Sequence, residues 1–397
     1  MKAEREIAGR SVIKKGEHLL GAFVGDPKGP TLIAIGGIHG NEPSGVEALR
    51  AVADDLAAMA DRLRGRVFLL AGNTRALERR VRFNDRDLNR SWTRDNMSST
   101  GARTFSRLSE GRELKEIDEL LDGELITAKS EVYIIDLHST SASGLPFATV
   151  GDTLRNRRFA QKLPVTILLG IEEQLEGTML EHFNNIGAVT MGFEGGQHDS
   201  AETIENHAAL VWLSLVNVGI LSSDDVRDFK SKYDRLAAGK SGARVVEVRY
   251  REAISTDDQF EMNPGFNNFD PISKGQVLAK NKFGPIRAVE SGMILMPLYQ
   301  KLGEDGFFIG RTVAPFWLRI SELMRSMKFQ NVIHWLPGVE RDPNDHETLI
   351  VNTHLARFFP LQIFHLLGFR RRRWNENRLI VSRRRHDDVS PFERRRM

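Results

Sequence analysis

The stretch Thr31-Leu-Ile-Ala-Ile-Gly-Gly-Ile-His39-Gly-Asn-Glu42 sets the expectation for the fold. Its first half is a short, apolar, β-branched run of the kind that forms a strand buried on both faces. Its two adjacent glycines allow the backbone to turn tightly where that strand ends, and His39 and Glu42 follow at once. Because open α/β sheets bind ligands beyond the carboxyl ends of their strands, we expect both side chains to line a site there.

Four further runs share this apolar, β-branched character, and they span residues 66–71, 131–137, 164–169 and 188–193. Between the first two strands, residues 43–63 begin with proline and repeat apolar side chains at three-and-four spacing, which predicts a helix. Residues 202–218 and 224–238 predict two more helices. Strands that alternate with helices indicate an α/β fold, so we predict a mixed, largely parallel sheet flanked by helices for residues 1–238.

The pattern changes after this region. Residues 239–336 contain many glycines, prolines and short alternating runs, which predict a smaller, mostly β domain. A chain of 397 residues exceeds what one hydrophobic core usually supports, so such a division is expected. Residues 337–397 predict a third unit, an arginine-rich C-terminal extension.

Two runs of the extension, residues 369–374 and 378–382, are predicted to pair as a hairpin around Asn375-Glu-Asn377. Residues 349–369 are rich in Leu, Phe and Ile, but Pro360 and several polar residues interrupt them. A membrane-spanning helix is therefore not expected in this segment.

The composition, with 41% hydrophobic and 27% charged residues, is typical of a globular protein. There is no cysteine, so disulfides are excluded and any metal ion must be held by His, Asp or Glu. The N-terminal residues carry acidic side chains and lack the apolar core of a signal peptide, which predicts a cytoplasmic location.

The formal net charge of +3 is unevenly distributed. Eleven arginines lie between Arg370 and the C-terminus, against four acidic residues, so the rest of the chain is net negative. The basic character therefore belongs to the extension, and we expect no nucleic-acid binding by the main body. Two interpretations of the extension stay open: a peripheral contact with a membrane or nucleic acid, and an arginine-rich segment packed on the surface.

A third candidate ligand follows the run Val132-Tyr-Ile-Ile-Asp136-Leu-His138, where a second strand would bring His138 beside His39 and Glu42. Two imidazoles and one carboxylate are a common ligand set for catalytic zinc, so we predict one Zn²⁺ per chain. The pair His39 and Glu42 alone would be weak evidence, because a capped loop histidine and a first-turn acid look the same. Asp136 would either orient an imidazole or pair with an arginine.

Two further motifs complete the pattern, namely Arg82-Phe-Asn-Asp-Arg-Asp-Leu-Asn-Arg90 and Phe193-Glu-Gly-Gly196. Together with Gly-Gly-x-His-Gly-Asn-Glu and Asp-Leu-His, they resemble the succinylglutamate desuccinylase and aspartoacylase family, within the zinc carboxypeptidase-like hydrolases. The resemblance covers residues 31–194 with specific motifs and extends more loosely through the predicted β domain. It implies a zinc carboxypeptidase-like fold.

The resemblance also implies roles for single residues. By it, His39, Glu42 and His138 ligate zinc, and Glu194 matches the catalytic carboxylate that activates water. Arg82 matches the catalytic arginine that polarises the scissile carbonyl and stabilises its oxyanion. Without the resemblance, the glutamate would be interpreted as a turn acid and the arginine as a surface ion-pair partner.

Asn89 and Arg90 match the substrate-binding pair that holds a carboxylate in that family. One departure concerns the substrate. Aspartoacylases carry an additional arginine shortly before the catalytic glutamate, where this chain reads Phe183-Asn-Asn-Ile-Gly-Ala188. This puts N-acetylaspartate in doubt as the substrate and leaves the hydrolytic residues in place. His198 is a further candidate for the rim of the pocket.

These observations predict a zinc-dependent amidohydrolase that cleaves the amide bond of an N-acyl amino acid, or of a related small carboxylate-bearing amide. One alternative is a metallocarboxypeptidase that acts on peptides or peptidoglycan fragments. An alternative of another class is a non-catalytic binding or regulatory protein with a retained zinc site. A homo-oligomer is compatible with the sequence, which does not identify the acyl group or the amino acid.

Overall fold

The structure is a computed structural model that describes residues 18–198, 200–238, 245–300, 303–352, 361–369, 371–375 and 378–392. The strands of these residues are β1 (Leu19–Val24), β2 (Thr31–Gly36), β3 (Arg66–Ala71), β4 (Val132–Thr140), β5 (Phe147–Val150), β6 (Thr166–Leu169), β7 (Val189–Gln197), β8 (Val245–Ala253), β9 (Glu261–Met262), β10 (Pro271–Ile272), β11 (Val277–Asn281), β12 (Gly284–Arg287), β13 (Gly292–Leu295), β14 (Asp305–Thr312), β15 (Val339–Arg341), β16 (Thr348–Asn352), β17 (Arg371–Asn375) and β18 (Arg378–Ser382).

The helices of the same residues are α1 (Ser44–Ala57), α2 (Thr74–Arg79), α3 (Arg94–Met97), α4 (Ser99–Phe105), α5 (Ser109–Thr127), α6 (Leu154–Gln161), α7 (Met179–Ile186), α8 (Ala201–Asn217), α9 (Phe229–Ala238), α10 (Pro315–Ser326) and α11 (Leu361–Leu366). Short 3-10 helices lie at Ala60–Arg62, Leu88–Arg90, Ser223–Asp225, Thr256–Asp258, Phe329–Asn331 and Ile333–Trp335.

One large mixed sheet forms the body of the protein, in the order β1-β3-β2-β4-β7-β5-β6-β8-β14-β13-β10. At its centre β3, β2, β4 and β7 are parallel neighbours. Helices α1 and α8 pack on one face of the sheet and α5 and α7 on the other, which buries every residue of β2 and β3. Burial on both faces explains why these strands are continuous apolar runs. The predicted fold class is therefore confirmed.

The main sheet crosses the predicted boundary between the α/β and the β-rich domains. Strand β8 pairs in parallel with β6, and β14 pairs antiparallel with β8. A separate sheet of β12, β11 and β9 lies within the β-rich region. The division into independent domains at residue 238 stays a prediction, because the two regions share one sheet.

The C-terminal extension contains a sheet in the order β15-β16-β18-β17. Its strands β17 and β18 pair from Arg371↔Ser382 to Asn375↔Arg378, which confirms the predicted hairpin. The extension packs on the α/β region: Phe392 is buried in the cluster that also contains residues of α5 and α7. No helix of the described residues is long and apolar enough to cross a membrane.

Within residues 1–238, two strands of the main sheet were not predicted from the sequence. Strand β1 lies at the sheet's edge with several half-exposed residues, so its apolar signal is weak. Strand β5 has four residues and directly follows the loop-like run Gly144-Leu-Pro146, so the sequence did not single it out. The five predicted strands are all present, with ends shifted by up to four residues.

Candidate active site

Three predicted ligands, His39, Glu42 and His138, come together at the carboxyl ends of β2 and β4. The two strands are paired in register from Thr31↔Val132 to Gly36↔Leu137, so the residues that follow the paired stretch emerge side by side. The His39 and His138 rings lie 5.2 Å apart between centroids. The sheet register therefore brings together ligands that are distant in sequence.

Two glycines shape the turn that carries His39. Gly37 has a φ of 73°, a left-handed conformation that residues with a side chain rarely adopt. At Gly40, a Cβ atom would lie 2.1 Å from the backbone of Ala76, and the Gly40 N–H donates to the Arg82 carbonyl at 3.1 Å. This close approach places the Arg82–Arg90 motif against the turn that carries His39.

The donor atoms of the three predicted ligands converge. Glu42 Oε1 lies 2.9 Å from His39 Nδ1, and Glu42 Oε2 lies 3.2 Å from His138 Nδ1. One ligand atom from each residue can be chosen so that all three lie within 4.8 Å of one another. The side chains of His39 and Glu42 are buried, and that of His138 is 12% exposed. Two imidazole nitrogens and a carboxylate in this arrangement fit a zinc ion.

The far nitrogen of each imidazole faces a carboxylate. His138 Nε2 lies 2.7 Å from Asp136 Oδ2, and His39 Nε2 lies 3.3 Å from Asp87 Oδ1. Carboxylate contacts of this kind orient metal-binding imidazoles. His39 Nε2 also lies 3.0 Å from Arg82 Nη2, closer than it lies to Asp87. Of the two readings of Asp136, the structure supports the acceptor. Asp87 was missed from the sequence, although it is the second aspartate of the Arg82–Arg90 motif.

These contacts shift the protonation equilibria of the cluster. Burial raises the pKa of Glu42, but His39 and His138 outweigh it and hold the pKa well below its usual value. Burial lowers the pKa of His138, but Asp136 and Glu42 outweigh it and raise the pKa well above its usual value. The cluster therefore favours the anionic carboxylate that a metal ion requires.

A second His/Glu group, formed by His18, Glu113 and Glu116, also has ligand atoms within 4.8 Å. Its carboxylates are already occupied, because Arg75 donates to Glu113 at 2.7 Å and to Glu116 at 3.0 Å. The backbone and hydroxyl of Thr74 donate to Glu113 as well. We interpret this group as an ion-pair network.

Glu194 lies on β7, in register with His138 on β4, so the two residues are neighbours across adjacent parallel strands. The side chain is buried, and its Oε2 accepts no hydrogen bond from the described part of the chain. Burial raises the pKa of Glu194 to about 7, an effect that Glu42 reinforces and His138 opposes. A carboxyl with a pKa near neutrality can both accept and return a proton.

Arg82 reaches the cluster from the loop after α2. Its Nη2 donates to Asp87 Oδ2 at 3.0 Å, and its Nη1 lies 3.7 Å from Glu42 Oε1. The loop itself is held by a buried carboxylate that sequence reasoning missed. Glu110 accepts from the backbone N–H groups of Asn84, at 2.7 Å, and Asp85, at 3.0 Å.

Asn89 and Arg90 lie in the 3-10 helix Leu88–Arg90 on the same wall. Asn89 Oδ1 accepts from the backbone N–H of Met179 at 3.0 Å. Arg90 Nη2 donates to Asp305 Oδ2 at 3.2 Å. The structure therefore places both predicted residues beside the cluster, and it pairs the arginine with an acid of strand β14.

All seven predicted site residues line one cavity. Its empty volume is about 990 Å³, open mouth included, and it is lined by His39, Glu42, Arg82, Asn89, Arg90, His138 and Glu194. Much of the remaining wall is apolar and comes from Ile171, Leu175, Leu180, Met296, Leu298 and Phe308. Asp305 and Gln300 reach it from the β-rich region. His198 does not line this cavity; it contacts the Ser139 hydroxyl at 2.8 Å.

Comparison with known protein families gives a match to the first half of the chain. Residues 28–212 match the model described as the succinylglutamate desuccinylase/aspartoacylase catalytic domain. Two curated relatives are N-acyl-aromatic-L-amino acid amidohydrolases (carboxylate-forming). That of Xenopus tropicalis is 34% identical over 112 residues, and that of Xenopus laevis is 33% identical over 115. The matches cover 28% of this chain and 34% and 35% of those proteins, so the chain spans about a third of their length.

Solved structures share the fold. A succinylglutamate desuccinylase from Vibrio parahaemolyticus aligns with a TM-score of 0.55 at 16% identity, covering 77% of this chain and 90% of that one. A succinylglutamate desuccinylase/aspartoacylase from Rhodobacter sphaeroides aligns with a TM-score of 0.53 at 18% identity, covering 74% and 88%. At these identities the likeness concerns the fold alone.

Proposed function

We propose that the protein is a hydrolase which cleaves the amide bond of an N-acyl amino acid. The starting point is that residues 28–212 of this chain belong to the succinylglutamate desuccinylase/aspartoacylase family. The observation that carries the proposal is the convergence of His39, Glu42 and His138 beside Glu194 in one cavity. Proposed ligands, base and substrate contacts all face the same space.

His39, Glu42 and His138 would hold one Zn²⁺ ion. Their fit is supported by the convergent Nδ1 and carboxylate atoms and by the acids Asp136 and Asp87 on the outer nitrogens. When bound, the ion would act as a Lewis acid toward the amide carbonyl and a water molecule.

Glu194 is proposed to move the proton of the reaction. Its unpartnered buried oxygen would accept the proton from the attacking water and later give it to the leaving amine. A pKa raised to about 7 by burial suits both directions of transfer.

Arg82 and Arg90 are proposed to bind the two polar ends of the substrate. The Arg82 guanidinium beside Glu42 would stabilise negative charge on the carbonyl oxygen; loss of one such donor typically costs about 3 kcal/mol of activation free energy. Arg90 offers a planar fork that a carboxylate can accept with two hydrogen bonds, and Asn89 would stand beside it.

The amino-acid side chain of the substrate is proposed to be apolar. Ile171, Leu175, Leu298 and Phe308 supply an apolar wall to the cavity that the charged groups also line. Residues 183–188 contain no arginine that would favour an acidic side chain. The relatives named for N-acyl-aromatic amino acids agree with this assignment.

The test is a mass-spectrometric screen of the zinc-loaded protein against N-acyl amino acids and short peptides. Release of free amino acids from N-acetyl-phenylalanine, -tyrosine or -leucine is the expected result. Release of C-terminal residues from peptides would instead favour a carboxypeptidase. If no substrate is turned over, the result would favour a non-catalytic binding protein. A cytoplasmic location, self-association and membrane contact by the extension stay predictions.

A further inference from the structure

The C-terminal extension contacts the back of the cavity wall. One section of that wall is the segment of residues 170–178 between β6 and α7, here called the wall loop. Four of its residues line the cavity: Ile171, Glu172, Leu175 and Thr178. The opposite side of the wall loop meets Arg384, which follows the last strand of the extension.

Arg384 is buried between the wall loop and the start of α6. Its Nε donates to Glu173 Oε1 at 3.2 Å, and its Nη2 lies 3.6 Å from Glu172 Oε2. The exposed fractions of these side chains are 9% for Arg384, 7% for Glu172 and 5% for Glu173. Gly151 leaves room for the guanidinium, because a Cβ atom there would lie 2.3 Å from Arg384 Nε.

Two other contacts attach the rest of the wall loop to the segment after Arg90 and to the β-rich region. The Trp92 N–H donates to Gly177 O at 3.0 Å, which ties one end to the segment after Arg90. Arg251 donates to Gln174 O at 3.0 Å. The first part of the loop, by contrast, carries two consecutive buried acids, and Arg384 is the cation that contacts both.

Removal of this cation would leave Glu172 and Glu173 buried side by side. Like charges in a water-excluded site repel strongly, so the acids would take up protons or move toward water. Burial already raises the pKa of Glu172 to about 7, against the opposing effect of Arg384. Either response removes the ion pairs that hold the first part of the wall loop, which also carries Ile171 and Leu175 of the proposed apolar wall.

We propose that Arg384 is a positioning residue through which the C-terminal extension sets the shape of the apolar wall and thereby the selection of the substrate side chain. The inference rests on the proposed function, because it takes the cavity to be the substrate pocket. It concerns binding of the side chain and leaves the metal cluster and Glu194 unaffected.

The test is the variant Arg384→Gln, compared with Arg385→Gln as a matched control. Arg385 is adjacent and loses the same charge, but its side chain is 55% exposed and pairs with Asp345 at 3.9 Å. The probes are N-acetyl-L-phenylalanine, which needs the wall, and N-acetylglycine, which does not. We expect KM for the phenylalanine substrate to rise about tenfold in Arg384→Gln, with kcat and the KM of N-acetylglycine nearly unchanged.

Gly151→Ala is a second variant, made from the other side of the contact. Its added methyl group would displace the guanidinium without removing it, and the same rise in KM is expected. Amide hydrogen exchange of residues 170–178 should accelerate in both variants and stay unchanged in Arg385→Gln.

Parental KM values and exchange rates in Arg384→Gln would overturn the proposal. An equal loss of kcat on both probes together with loss of zinc would also overturn it, because a general structural role would then account for the effect. If the parent protein hydrolyses neither probe, the proposed function fails. The exchange measurement still decides whether Arg384 fixes the wall loop.

Discussion

The guanidinium of Arg90 lies 3.2 Å from the carboxylate of Asp305, which comes 215 residues later in the chain. Asp305 also accepts from Arg251 Nε at 2.5 Å. One acid of strand β14 thus joins the proposed carboxylate-binding arginine to the β-rich region. Arg90 donates Nη1 to the Asn89 carbonyl at 3.0 Å and Nη2 to Asp305, and because a guanidinium has five N–H donors, others remain for a substrate carboxylate.

Replacement of Arg90 by lysine tests this assignment. Lysine keeps the charge but lacks the planar fork, so we expect KM for an N-acyl amino acid to rise about tenfold with little change in kcat. The parent should prefer the free acid over the corresponding C-terminal amide, and the variant should lose most of that preference. Steady-state kinetics on the acid and the amide measure both effects.

Arg251→Lys is the matched control for that variant. Arg251 contacts the same aspartate but does not line the cavity, and because it also donates to Gln174 O of the wall loop, the acid-over-amide preference is compared and not KM alone. An equal loss of acid-over-amide preference in Arg251→Lys would show that Asp305, and not direct contact with the substrate, carries the effect.

Glu194→Gln tests the proposed proton transfer. Glutamine has nearly the same shape but cannot accept the proton of water, so kcat should fall by about 10²- to 10⁴-fold. Zinc content, measured by atomic emission, should stay at one ion per chain. Glu172→Gln is the control, since Glu172 is also a buried cavity carboxyl with a pKa raised by burial to about 7. A comparable fall of kcat in that variant would contradict the assignment.

Asp136→Asn tests the orientation of His138. The carboxylate lies 2.7 Å from His138 Nε2 and is fully buried, so its charge supports the imidazole as a ligand. Loss of that charge should weaken zinc affinity by about 10- to 100-fold. Competition with a chromophoric chelator measures the affinity. An unchanged affinity would show that the contact does not act on the metal site.

The sequence predicted the parts of the site that depend on local pattern. The apolar runs of β2 and β4 and the residues that end them carry a short-range signal, and the sheet register then fixes their proximity. The Arg82–Arg90 motif was predicted through family resemblance. The contact that holds this motif in place was not predicted, because Glu110 supports the loop from helix α5 and carries no local sequence signal.

The contacts between distant segments could not be predicted. Asp305 meets Arg90 across 215 residues of sequence, and Arg384 meets Glu173 of the wall loop across 211. An isolated acid or arginine in a charged run has no spacing that distinguishes a buried partner from a solvated one. The continuity of the main sheet across residue 238 was hidden for the same reason.

The attachment of the C-terminal extension gives a prediction of stability. Arg325 of helix α10 is fully buried; it donates to Asp152 Oδ2 at 3.0 Å and to Asp387 Oδ1 at 3.2 Å. Arg325→Met would leave both acids without this cation, so the free energy of unfolding should fall by about 3 kcal/mol in urea denaturation. Arg319→Met, on the exposed face of the same helix, is the control and should change it by less than about 0.5 kcal/mol. Equal effects of the two substitutions would mean that the buried contacts do not hold the extension in place.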